Sequence, residues 1–155
     1  MFEHLRKLLR QTGANRGQTR GQTPVSAADE QRLAAAVLLL EIARADYEHH
    51  PAERVALRGA LAREFHVPEA ALDALLDEAE LRAKQSVSLF EFVQTLNRSM
   101  SQDDKRGLLH LLWEVAHSDG RVDPHEEHLL RRIADLLHLS HADFIRGKLA
   151  ASGEP

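Results

Sequence analysis

The sequence predicts an all-α domain, and three observations carry that prediction. Leu and Ala, strong helix formers, supply 47 of 155 residues, whereas the β-branched Val, Ile and Thr supply 15. Helix-start signals recur along the chain. Two segments are apolar on almost every side, as helices at the centre of a bundle must be. With 43% hydrophobic residues the chain can bury a proper core.

The elements follow in order. Residues 2–12 place Phe2, Leu5, Leu8 and Leu9 on one helical face and Arg6, Lys7 and Arg10 on the other. This N-terminal amphipathic helix, residues 1–12, is expected either to meet a membrane or partner or to fold back on the body. Residues 13–25, opening GANRGQTRGQT, are Gly-, Gln- and Thr-rich and read as a flexible linker. The body spans 26–150. Its helix starts pair a cap residue with an acid three positions on: Ser26/Asp29, Ser88/Glu91, Ser101/Asp104, Asp123/Glu126 and Ser140/Asp143. Pro51, Pro68 and Pro124 suit the first helical position, where no N–H is needed. Helices are therefore expected near 26–46, 51–65, 68–83, 88–99, 102–118, 124–138 and 141–150. Leu33 to Leu40 and Leu108 to Val115 mark the two central ones. The others are one-sided and should pack around them.

Charge and composition exclude several functions. Residues 1–25 carry +4 and residues 26–155 carry −8. An acidic body repels phosphate, so no nucleic-acid partner is expected. The absence of Cys removes thiol nucleophiles, disulfides and Cys-ligated zinc. The longest apolar run, Leu33–Leu40, is far short of the ~20 residues that span a bilayer. With no signal-peptide core either, the default location is the cytoplasm, and membrane contact could come only through the N-terminal basic helix, at the periphery of the inner membrane. No nucleophile elbow, phosphate loop or dinucleotide fingerprint is present, so an enzyme is not expected.

The two central helices open related segments. LLLEIARADYEHHPAE (38–53) and LLWEVAHSDGRVDPHE (111–126) share seven identities in 16 positions at a constant offset of 73. A one-residue slip then aligns Leu61 with Ile133, Phe65 with Leu137 and His66 with His138. The simple reading is a duplicated helical hairpin, with halves at about 26–83 and 88–150.

WEVAHSDGRVDPHEEHLLRRIADLLHLS is similar to the A-x-x-D-G-x-hydrophobic-x-x-x-E signature of the tellurite-resistance TerB-like superfamily. That superfamily includes the N-terminal domain of the membrane-anchored DnaJ-like co-chaperone. The resemblance implies a compact fold of about seven helices, acidic clusters that bind divalent metal, and a link to stress or envelope responses. The first copy has Tyr47 where the second has Gly120, so equivalent metal loops in both halves are not implied; the chain lacks the His-Pro-Asp of a J domain and a transmembrane anchor, so a chaperone role is not carried over.

The candidate metal ligands are Asp119, Asp123, Glu126 and Glu127, with His117, His125 and His128 nearby. Hard divalent cations want several oxygens, which carboxylates supply. The same residues also read as helix punctuation: Gly120 ends one helix, Asp123 caps the next, Pro124 is its first residue and Glu126 its third. The spacing matches neither an EF-hand nor a zincin, whose histidines stand at i and i+4 rather than His125 and His128 at i and i+3. A secondary set is Asp46, Glu48 and Glu53, with His49 and His50. Glu41 and Glu114 interrupt the central helices at equivalent places and could back up the ligands, or pair structurally, as Glu41 with Arg44. The expected cofactor is Ca²⁺, Mg²⁺ or Zn²⁺. The expected function is a non-enzymatic stress module that binds a cation and docks protein partners; the alternative is a metal-independent adaptor with an acidic helical surface.

Overall fold

The computed structural model describes residues 26–45, 51–86, 88–118 and 120–152. The expected N-terminal helix and linker, and Asp46, Tyr47, Glu48, His49, His50 and Asp119, lie outside the described residues. Among the described residues there are seven helices and no strand: α1 (Ala27–Arg44), α2 (Pro51–Glu64), α3 (Glu69–Gln85), α4 (Phe90–Ser99), α5 (Gln102–His117), α6 (Pro124–Leu136) and α7 (His141–Ser152).

The caps behave mostly as their sequences require. Ser26 Oγ accepts the Asp29 N–H at 3.0 Å and Ser101 Oγ accepts that of Asp104 at 3.1 Å. Ser140 and Asp143 close a reciprocal box, with Asp143 N–H on Ser140 Oγ at 3.1 Å and Ser140 N–H on Asp143 Oδ2 at 3.3 Å. Two starts differ from expectation. α4 begins at Phe90, whose N–H reaches Ser88 Oγ at 3.2 Å, while Glu91 turns to Arg82 at 3.3 Å. The competing ion pair draws the acid away from a box. Pro68 is the cap of α3 rather than its first residue.

Burial places α1 and α5 at the centre. Every residue from Leu33 to Leu40 is at most 4% exposed, so α1 is enclosed around its whole circumference. It packs against α2, α3, α4, α5 and α6, and α5 packs against α1, α2, α6 and α7. Trp113 on α5 is fully buried, with Phe144 of α7 at 5.1 Å between ring centroids. α7 lies close to α5 here because residue 147 is Gly. No described helix is long and apolar enough to cross a membrane.

The ends of α2 and α6 close alike. His66 (φ 56°) and His138 (φ 62°) are the two non-Gly residues with positive φ among the described residues, and they are the pair aligned by the sequence comparison. After each, a buried aliphatic N–H reaches back to the helix: Val67 to Leu61 O at 3.2 Å, and Leu139 to Ala134 O at 2.9 Å. The second is a Schellman closure with His138 in the position usually held by Gly. Neighbouring helices donate to the same ends: Arg32 Nε to Phe65 O at 2.9 Å and Asn97 Nδ2 to Leu136 O at 3.0 Å. These side chains satisfy carbonyls that the helices leave orphaned.

Candidate functional site

The α5–α6 junction is built by three local devices. α5 stops at His117, and Ser118 caps it, its N–H and Oγ both reaching Val115 O. Gly120 then turns the chain at φ 101°, a conformation that a Cβ disfavours, and its N–H donates to His117 O at 2.8 Å. Finally Asp123 starts α6: its carboxylate accepts the His125 N–H at 2.7 Å, and Glu126 Oε1 accepts the Asp123 N–H at 2.9 Å. This is a complete capping box with Pro124 at the first helical position.

The structure therefore assigns structural duties to the sequence candidates it describes. Asp123 and Glu126 cap α6. Glu127 lies beside Lys148 Nζ of α7 at 3.3 Å and Arg131 at 3.7 Å. His125 and His128 are exposed. The His117 ring lies beside Trp113, tilted by 33° with 6.0 Å between centroids, and its Nε2 is buried without a hydrogen-bond partner, so this ring faces the core. Among the described residues no three His, Asp or Glu side chains converge as metal ligands do. The described part of the junction is thus not a ligand set by itself. Asp119 of the main set and Asp46 and Glu48 of the secondary set lie outside the described residues.

Burial was not legible from the motif. Glu126 is fully buried and Glu53 is 1% exposed. Each is the third residue of its helix, at the 73-residue offset. Each first turn is thus tucked inward.

Glu41 and Glu114 part company. Glu41 is half-buried on α1, and no ion pair joins it to the exposed Arg44. Glu114 meets Arg63 of α2 at 3.3 Å and His110 Nε2 at 2.9 Å. These groups line a cleft of about 670 Å³ between the start of α1, the end of α2 and α5. Sequence reasoning missed this cleft because its partners are 51 residues apart.

Asp143 gathers several partners. Besides the Ser140 box, it accepts from Arg106 Nε at 3.1 Å and Arg146 at 2.9 Å. Burial pushes its carboxyl up, but the Ser140 N–H, the Ser140 hydroxyl and the Arg106 guanidinium together outweigh it and hold the group below the ordinary carboxylate range. It joins α5 to α7 and is structural.

Comparisons with known proteins agree with this architecture. Among solved structures, a protein of unknown function from Porphyromonas gingivalis W83 superposes with a TM-score of 0.59 at 20% identity, over 88% of this chain and 98% of that one. That likeness shows the fold. The curated proteins give no match. The family model described as tellurite resistance protein TerB matches residues 32–149, the stretch from early α1 to late α7. On that match, which takes in both central helices and both junctions, the chain belongs to the tellurite resistance protein TerB family.

Proposed function

We propose that this chain is a non-enzymatic, tellurite-resistance-like stress module that acts by binding: it takes a divalent cation at the acidic α5–α6 junction and docks protein partners. One observation carries the reading. The Gly120 turn stands directly before a helix start whose first turn holds the carboxylates of Asp123 and Glu126, in the segment that resembles the family signature. Capping does not exhaust these groups. A carboxylate offers two oxygens and about four lone-pair sites, so one that accepts a backbone N–H can still face a cation. Asp119 and Glu127 bring the set to four, with water completing the 6–8 oxygens that Ca²⁺ takes. Asp46, Glu48 and Glu53 form the weaker counterpart.

A second reading has its own support. Asp123 and Glu126 serve as caps, and Glu127 has Lys148 and Arg131 beside it. In that reading the junction is punctuation, and the acidic surface recognises partners without metal. Thermal melting of the full chain with millimolar Ca²⁺, Mg²⁺, Zn²⁺ and Mn²⁺ separates the two. A cation at a hundred times its Kd adds about 2.7 kcal/mol to stability, so a bound cation raises the melting temperature by several degrees. No shift with any of the four leaves the metal-independent adaptor.

A further inference from the structure

We propose that the cleft between α1, α2 and α5 is a docking groove for a short amphipathic helix of a protein partner, a helix built like α4. This assignment rests on the reading that the chain docks protein partners, to which it gives a surface and a ligand class, and not on a bound cation.

The face that corresponds to the cleft is already covered by such a helix. At the 73-residue offset α5 aligns with α1, and after the one-residue slip α6 aligns with α2. The packing follows the same alignment: α1 lies against α2 and α3 as α5 lies against α6 and α7. α4 stands between the two aligned sets and packs on α1 and α6. Carried across the alignment, those two surfaces become α5 and α2, which are walls of the cleft. Single positions show the difference. Ala34, which lines a small pocket together with Phe92 of α4, is 2% exposed. Gly107, its aligned residue, is exposed and has nothing within 4 Å of the place a Cβ would take. The helix ends differ in the same sense. Asn97 of α4 donates to Leu136 O at the end of α6 at 3.0 Å. The aligned carbonyl at the end of α2 is Glu64 O. Among the described residues no side chain donates to it, and Pro68, four residues on, has no N–H to offer.

The chemistry of the cleft says what kind of helix fits. Its floor is apolar: Leu108 and Leu111 are at most 5% exposed, with Phe65 and Met100 half-buried beside them. Its walls are more polar than the seat of α4, since His110 stands where α1 has Val37 and Arg106 where it has Leu33. A face covered permanently can be apolar, whereas one that meets water between encounters is more polar, as transient interfaces are. The charge left after internal pairing is negative. Asp103 is held by Arg106, but Asp104 forms no ion pair among the described residues, and Arg63 is a single cation between Glu64 at 3.0 Å and Glu114 at 3.3 Å. The partner helix therefore carries an apolar ridge and a basic residue at its edge. α4 has this form, with Phe92, Val93 and Leu96 buried and Arg98 at the rim of its seat. Ten residues of helix extend about 15 Å. That exceeds a cleft of about 670 Å³, so the ridge enters and the rest lies on the rim.

The probe is a synthetic peptide of residues 88–100, stapled through positions 90 and 94, which are exposed in α4. The staple keeps a helix too short to be stable alone in its folded form. Titrated into the ¹⁵N-labelled full chain, it should shift the amide signals of Gly107, His110 and Leu111 saturably and leave those of Ala34 and Val37 in place. Leu96→Glu in the peptide should abolish the shifts. In the protein, Gly107→Arg, placed in open space, should weaken binding at least tenfold and Asp104→Lys several-fold, while Trp113 fluorescence stays native. Several results overturn the assignment: shifts centred on Ala34 and Val37, which report exchange with α4; cleft shifts that grow with protein concentration without peptide, which report a second copy; affinity unchanged by Gly107→Arg and Asp104→Lys; or no shift up to millimolar peptide. Saturable shifts on another face overturn the cleft alone and leave partner docking standing.

Discussion

Among the described residues three glycines lie inside helices, and the packing gives them opposite fates. Gly59 in α2 and Gly107 in α5 have nothing within 4 Å of the place a Cβ would take. Ala at either position should stabilise the protein by about 0.5–1 kcal/mol, the intrinsic preference for Ala over Gly in a helix. Gly147 in α7 is different. Its Cβ would stand 2.8 Å from Trp113 Cδ1 and 3.2 Å from Nε1. The ring cannot yield, because Trp113 is fully buried with Phe144 and His117 beside it. α7 must lift instead. Overpacking of this kind costs about 1–3 kcal/mol, against which the helix preference returns about 1. Gly147→Ala should therefore be destabilising by up to about 2 kcal/mol, and should sit about 1–3 kcal/mol below the other two variants. Urea unfolding followed by Trp113 fluorescence and circular dichroism measures all three, and each kcal/mol corresponds to about 2–4 °C in Tm. If Gly147→Ala stabilises as much as Gly59→Ala, the α5–α7 contact is not the close approach argued here.

Other substitutions probe the remaining devices. His66→Gly and His138→Gly should each stabilise by about 0.5–1 kcal/mol, because relief of the left-handed strain exceeds the entropy that Gly adds to the unfolded chain; equilibrium unfolding checks the sign. Asp143 titrates below its ordinary value of 3.8 when folded, so its contribution is fully present above that pH and is lost as the pH falls through the lower folded-state value. The stability gap between the parent and Asp143→Asn should accordingly be constant near neutrality and close below about pH 4, as measured by unfolding across the acid range. Asp123→Ala should cost about 0.5–2 kcal/mol from the lost cap when no divalent cation is present, and the same amount with a cation if the junction is punctuation alone; equal melting temperatures in cation-free parent and variant would contradict the capping role.

What the sequence disclosed was what is local. Ser26, Ser101, Asp123 and Ser140 cap helices because the partner N–H is two or three residues away and little competes for it. Ser88 shows the limit: Glu91 turns to Arg82 of the preceding helix, and α4 starts later than its sequence suggests. The two central helices were legible because an apolar stretch such as Leu33–Leu40 has only one tolerable environment. The left-handed turns at His66 and His138 were not, because no Gly or Asn marks them and tertiary donors such as Arg32 and Asn97 secure the helix ends. For the same reason the inward seating of Glu53 and Glu126 escaped notice: their burial depends on which helices cover them, and both motifs look solvated when read in one dimension.

A cation, where one binds, is expected at the second junction and not the first. Gly120 provides the turn there, whereas Tyr47 occupies the aligned position in the first copy and would be disfavoured at positive φ. Calorimetric titration of the full chain, Asp119→Asn and Asp46→Asn with the four divalent cations tests it directly. One site is expected in the parent, lost in Asp119→Asn and little changed in Asp46→Asn; intact affinity in Asp119→Asn, or loss confined to Asp46→Asn, would assign the cation elsewhere.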